Sequence, residues 1–344
     1  MNKKPLLREQ LASRLREQIL ALQSSSPVRI APERELAVQF GVSRISIRAA
    51  VKQLVDEGLL SQTQGRGTYT TPRTRIQTLH LFRSPDIKGT DPFYNEFLVE
   101  VTTMAALHAI ALVMVHETQI GPQDPLVPLV IIGVVSPELQ AALAQAYSTI
   151  IVVQGDGMLP GAIHLRFDDY AIGERAAILL HEAGYRQIAL LGGPERFPSA
   201  LHRKQGFLDT LDEHGLQAFT ITSKMNWSGG YDAAPQLAEW LAAGDGPKAV
   251  FAANDWMAVG LIQRLKEKTV VVPDALAVIG CDNIQLASQF APGLSTFDLD
   301  MKLLSAELMR ILRNGRGDIP TAGEQRMLPA TLIIRETFIP VATP

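Results

Sequence analysis

The chain has 344 residues, 47% of them hydrophobic, with one cysteine; that length predicts two or three domains with cores of their own, and lone Cys281 excludes an internal disulfide. The longest apolar-rich stretches, 104 to 115 and 126 to 135, fall short of the ~18–20 residues that a membrane span needs. The net charge of −3 hides an asymmetry: residues 1–75 hold 13 Lys+Arg against 6 Asp+Glu, and the remainder holds 19 against 29, so a basic head at +7 precedes an acidic body at −10.

In the head, Leu11, Leu15, Ile19 and Leu22 recur at helical spacing and predict one apolar face, broken by SSSP at 24 to 27. A second helix starts near Pro32, whose fixed φ suits a first turn, carries Leu36 and Phe40 inward, and stops at Gly41. Ser43 is placed to cap a third helix that turns Ile47, Val51 and Leu54 to the core and ends at Gly58. LLSQTQGRGTYTT then reads as two strands around Gln64-Gly65-Arg66-Gly67. The order is that of a winged helix-turn-helix over residues 1–71, with 72–78 as a linker to a body at 79–344.

In the body, apolar runs at 79–82, 111–115, 129–135, 149–154, 188–193, 249–254 and 275–280 alternate with helical stretches such as 93–108, 170–183, 202–214 and 256–267. This alternation predicts an α/β fold with parallel sheets covered on both faces, divided into two lobes because about 265 residues exceed one open sheet of this rhythm.

A recognition helix sets its N-terminal residues against base edges in the major groove. Here that end carries Ser43, Arg44, Ser46 and Arg48, and an arginine that grips guanine bidentately gives ~1–3 kcal/mol of discrimination. Arg34 is placed for a phosphate or base edge, while Gln64, Gly65 and Arg66 occupy the wing tip, where a slim turn suits the minor groove. The alternative for any one arginine is a solvated helix face.

PERELA (32–37), GVSRISIRAAVKQLVDEGLL (41–60) and QGRGTY (64–69) make residues 6–71 resemble the DNA-binding domain of the GntR family of bacterial regulators. Two departures bear on which operator is read: Ile30-Ala31-Pro32 replaces the usual Leu-Pro-Ser, and Ile45 stands where many members have a DNA-contacting Thr. Residues 77–337 resemble the effector domain of the LacI/GalR family, itself similar to periplasmic sugar-binding proteins. That resemblance is carried by the stretch 249–297, with DPFYNEFL (91–98), 168–194, RKQGF (203–207) and LPATLIIRET (328–337).

Ligands of open α/β lobes sit beyond the carboxyl ends of strands. Asn254 and Asp255 end one strand and Asp282 and Asn283 follow another. The resemblance implies that Arg203, Asn254 and Asp282 hold sugar hydroxyls or polar ligand edges and that Trp227 stacks on the ligand ring; Tyr94 and Asp91 match a ligand-facing stretch, and Gln154 and Ser199 complete the candidates. Plainer roles stand beside these: a helix cap for Asp255, a cap with a surface neighbour for Asp168 and Asp169, loop anchors for Asn254 and Asp282, lobe packing for Trp227.

No phosphate-cradling glycine loop, nucleophile elbow or zinc frame is present, and the seven histidines lack metal-ligand spacing, so neither an enzyme nor a metal or other cofactor is expected. The aminotransferase-like body of some GntR-headed proteins needs a longer chain and a pyridoxal-binding lysine motif. With no apolar h-region after the lysines of MNKKPLLREQ, the reading is a cytoplasmic protein without membrane attachment. The expected function is a transcription regulator, most simply a repressor, that binds a pseudo-palindromic operator as a homodimer and responds to a small molecule, a sugar first. A nucleobase or nucleoside effector is the alternative within the class, and a sugar-binding transport component the alternative outside it.

Overall fold

The computed structural model describes residues 4–22, 26–63, 66–72, 76–155, 159, 161–313 and 324–341. In the head, α1 (Lys4–Leu22), α2 (Glu33–Phe40) and α3 (Arg44–Asp56) enclose a core that includes Leu15, Ile19, Leu36, Ile47 and Leu54. Leu22, expected on that apolar face, is 41% exposed at the end of its helix. Gly41 closes α2 at φ 63, a left-handed conformation that disfavours side chains, and the Ser43 hydroxyl caps α3 by accepting from the Ser46 amide at 3.1 Å. The strands β1 (Leu60–Thr63) and β2 (Gly67–Thr70) pair antiparallel, Leu60 opposite Thr70. Gln64 and Gly65 lie outside the described residues.

The body begins with β3 (Thr78–Arg83), α4 (Pro92–Leu107), β4 (Ala111–Val115), β5 (Leu129–Ile132), α5 (Pro137–Ala146), β6 (Ile150–Val153) and β7 (Ile163–Phe167). The chain then crosses to the second lobe: α6 (Asp169–Glu182), β8 (Gln187–Gly192), α7 (Pro198–Glu213), β9 (Ala218–Thr222), α8 (Trp227–Ala242), β10 (Lys248–Ala252), α9 (Asp255–Glu267), β11 (Ala277–Asp282), α10 (Gln285–Gln289) and β12 (Ser295–Asp298). It returns through α11 (Met301–Arg313), which packs on α4, to β13 (Gln325–Leu328), and crosses a third time to β14 (Thr331–Ile333). The first sheet is ordered β13-β7-β6-β5-β3-β4 and wholly parallel; the second is β14-β12-β11-β10-β8-β9, with β14 alone antiparallel. Strands β5, β6, β10 and β11 are buried along their whole length because helices cover both faces, and they are apolar but for Lys248 at the start of β10 and Asp282 at the end of β11. Among the described residues no helix is long and apolar enough to cross a membrane.

Two of the boundaries at which the structure differs from the sequence reading lie in the first lobe. Residues 72–78 are not all linker, since Thr78 opens β3 opposite Ala111 and Ile76 packs on the core; 73–75 lie outside the described residues. The strand expected over 129–135 stops at Ile132, because Gly133 turns out at φ 80, where a Cβ would stand 2.7 Å from Ile87 Cδ1.

Glycines set the helix pairs of the second lobe. A Cβ on Gly173 of α6 would collide with the Arg203 carbonyl of α7, and one on Gly206 with the Tyr170 carbonyl. On the other face of the sheet, Gly230 of α8 and Gly260 of α9 bear in the same way on Met257 and Trp227. Backbones touch where side chains would hold helices farther apart. Ile188 and Leu190 of β8 face the α6–α7 side, Ala189 and Leu191 the α8–α9 side.

Candidate functional site: an interlobe cavity and a basic head

A cavity of about 520 Å³ opens where the carboxyl ends of both sheets meet. Its walls come from the segments after β3, β5, β6, β8, β9 and β10, from the last residue of β11 and from the first turns of α4 and α7. Tyr94, Arg203, Trp227, Asn254 and Asp282 all line it, with Asp91, Gln154 and Ser199. So do residues that sequence reasoning passed over, among them Phe93, Phe197, Trp256, Lys88, Arg196 and Lys224. The available signal was their place within a few residues of a strand end or helix start.

Arg203 is the buried polar centre of this cavity. From the second turn of α7 its Nε donates to Asp169 Oδ1 at 2.8 Å and its Nη1 to the Ala253 carbonyl at 2.6 Å, with Asp282 Oδ1 at 3.5 Å. Burial pushes the Asp169 and Asp282 carboxyls up, and the guanidinium pulls against that shift. Asp169, expected as a surface neighbour of a cap, is therefore buried and paired, because the glycine contact between α6 and α7 draws Arg203 beside it. Asp168 caps α6, accepting from the Ala171 amide at 3.1 Å. Tyr94 follows Asp91, the cap of α4. Trp227 opens α8 and its ring stacks on Tyr231 at 4.8 Å between centroids.

Asn254 rather than Asp255 caps α9, accepting from the Met257 amide at 2.9 Å. Asp255 instead accepts from the Ile284 amide at 3.0 Å and the Thr296 hydroxyl at 2.6 Å, and burial pushes its carboxyl up to about 7. Asp282, the last residue of β11 rather than a loop residue beyond it, has φ 120 and Asn283 φ 54, so a conformation rare for non-glycine residues stands at the cavity wall. Asn283 donates to Asp298 at the end of β12 and accepts from Arg335, which ties this turn to residues flanking two crossings.

On the head, Arg34, Ser43, Arg44, Arg48 and Arg66 are exposed and Ser46 is half-buried. The Ser43 and Ser46 hydroxyls lie 2.9 Å apart. Arg48 reaches Glu33 at 3.0 Å and Arg44 reaches it at 3.5 Å, so one carboxylate from the start of α2 engages both arginines at the start of α3. The hydrogen bonds from Arg48 lead in holding the Glu33 carboxyl below its ordinary range. Among the described residues no group of three or more His, Cys, Asp or Glu could hold a metal ion.

The profile of the gntR family of bacterial regulatory proteins matches residues 7–70, and that of the periplasmic binding protein-like domain matches residues 178–338. The chain joins a gntR-family head to a periplasmic-binding-protein-like body. The Escherichia coli (strain K12) HTH-type transcriptional repressor CytR is 25% identical over 312 residues, spanning 86% of this chain and 88% of that one. The ribose operon repressor of the same strain is 33% identical over 191 residues, 54% of this chain and 56% of its own. Among solved structures, a LacI family regulator from Enterococcus faecium with bound ribose has 22% identity and a TM-score of 0.64, covering 77% of this chain and all of that one. The lac repressor dimer bound to operator has 21% identity and a TM-score of 0.63, covering 76% of this chain and 94% of that one. These likenesses give the fold of the periplasmic-binding-protein-like body, and the profile at 7–70 accounts for the winged head.

Proposed function

We propose that the protein is a ligand-responsive transcriptional repressor that binds a pseudo-palindromic operator as a homodimer and is released or modulated by a small molecule, a sugar in the first instance. The observation that carries this reading is convergence: Tyr94, Arg203, Trp227, Asn254 and Asp282, from five separate chain segments, line one cavity between the lobes of a body joined to a DNA-binding head. The cavity offers aromatic faces for the C–H side of a sugar ring and charged and amide groups for its hydroxyls. In the head, Arg44 and Arg48 are the base-reading candidates, Arg34 and Arg66 supporting contacts to backbone or groove. The two relatives, a transcriptional repressor and a ribose operon repressor, support the same class.

A ligand shifts a two-state equilibrium only by its affinity difference between the states. A ligand held by groups on both lobes binds the closed body better, and closure alters how a dimer presents its two heads. The test selects an operator from a random pool and measures retention by fluorescence anisotropy while sugars are added. Loss of retention by more than a few-fold at saturation is expected for the cognate sugar; every binding ligand leaving retention within a few-fold overturns the switching model.

A further inference from the structure

We propose that the natural effector is a phosphorylated sugar whose phosphate sits at the cavity mouth among Lys88, Arg196 and Lys224; this rests on reading the cavity as the effector site. All three side chains line the cavity and are exposed, and they come from three different segments, after β3, β8 and β9. Lys88 belongs to the first lobe, Arg196 and Lys224 to the second. None forms an ion pair among the described residues; the Arg196 guanidinium lies over the Phe197 ring at 4.8 Å.

The deeper charges are already committed. Arg203 is engaged by Asp169, Asp282 and the Ala253 carbonyl, and the Asp91 carboxylate caps α4. The cavity lining therefore presents three cations without an ion-pair partner among the described residues, against Asp86, on a body whose net charge is −10. It suits a dianion with several acceptor oxygens, for which lysine and arginine form charge-assisted hydrogen bonds.

The placement also bears on switching. Closing the lobes on a neutral sugar brings Lys88 toward Arg196 and Lys224 with Asp86 as too small a counter-charge for the three, which opposes closure. A phosphate between them turns that repulsion into attraction and so favours the closed state over the open one. The inner groups would then read the sugar ring while the mouth reads its charge.

The test titrates the full-length protein with ribose 5-phosphate, glucose 6-phosphate, ribose, glucose and glucuronate, following tryptophan fluorescence and operator retention. At least one ester is expected to bind about tenfold or more tightly than its parent sugar, and more tightly than glucuronate. In the Lys88→Gln/Arg196→Gln/Lys224→Gln variant, checked for folding by circular dichroism, that ratio should collapse toward unity. Parent sugars binding as well as their esters, glucuronate outbinding glucose 6-phosphate, or an ester preference that survives in the variant overturns the phosphate assignment and leaves the proposed function standing. Failure of every sugar and every ester to bind overturns both.

Discussion

Replacing Arg203 with methionine keeps an apolar stem of similar length and removes the guanidinium on which Asp169, Asp282 and the Ala253 carbonyl converge. Breaking a buried ion pair from one side costs about 3–5 kcal/mol. The orphaned carbonyl by itself would cost about 1–3 kcal/mol, and because the two terms share one site their sum is an upper bound. A loss of about 4 kcal/mol is the expectation, against a total stability on the order of 5–15 kcal/mol for a folded domain. Urea unfolding followed by tryptophan emission reads this directly, since Trp227, Trp240 and Trp256 all lie on α8 and α9 of the same lobe. The pH dependence gives a second signature. Burial already raises both carboxyls above their unfolded values, and without the cation they rise further. A carboxyl raised by folding destabilises the native state above its unfolded pKa, and that cost is relieved as pH falls through the folded value. The deficit of Arg203→Met should therefore be larger at pH 8 than at about pH 5.5, and Asp169→Asn in the same chain should recover part of it. A loss under about 1 kcal/mol, or one equal at both pH values, refutes the reasoning.

Glu33→Gln frees Arg44 and Arg48 from their shared carboxylate, so affinity for random-sequence DNA should rise and the salt slope should steepen by about one phosphate contact; an unchanged slope counts against these arginines meeting DNA. Gly173→Ala forces α6 from α7 and should cost about 1–3 kcal/mol in urea unfolding, with weaker effector binding as Arg203 shifts; wild-type values for both would show that the helices do not meet as described. The Asp255 carboxyl, raised by burial from an ordinary 3.8 to about 7, holds its proton more tightly folded than unfolded, so its contribution makes the protein less stable as pH rises between those values. Asp255→Asn should flatten that part of the stability profile, and an identical profile in the variant excludes the assignment. Trp227→Ala should lower effector affinity by about 1–3 kcal/mol in isothermal titration while leaving operator affinity without ligand unchanged; equal effector affinity would assign Trp227 to packing against Tyr231 alone.

The head was legible almost residue by residue, because caps, apolar spacing and turn glycines in a small helical domain are local signals. In the body, strands buried on both faces declared themselves as apolar runs. Those with polar residues did not: β7 carries His164 and Arg166, while β12, β13 and β14 are three- or four-residue strands that depend on their neighbours in the sheet. Gly229, Gly230 and Pro235 similarly mask α8. The rule that ligands gather at strand ends led to the cavity, but not to which carboxylates are engaged inside it. Asp169 and Arg203 are 34 positions apart, and only the packing of α6 on α7 makes them partners. Choosing between Asn254 and Asp255 as the cap turned on a one-residue offset that spacing alone does not resolve.

The glycine contacts that lock α6 to α7 and α8 to α9 lie in the framework, whereas Lys88, Arg196 and Lys224 face the cavity from loops between helices and strands. Recognition is thereby modular with respect to architecture. If these side chains read the effector as proposed, exchanging Lys88, Arg196 or Lys224 alters what is sensed without touching the core of either lobe, so this body is a scaffold on which effector choice can drift, or be redirected by design, one segment at a time. The glycines have no such latitude, since a Cβ at any of them moves a framework helix and so costs stability and displaces the site together.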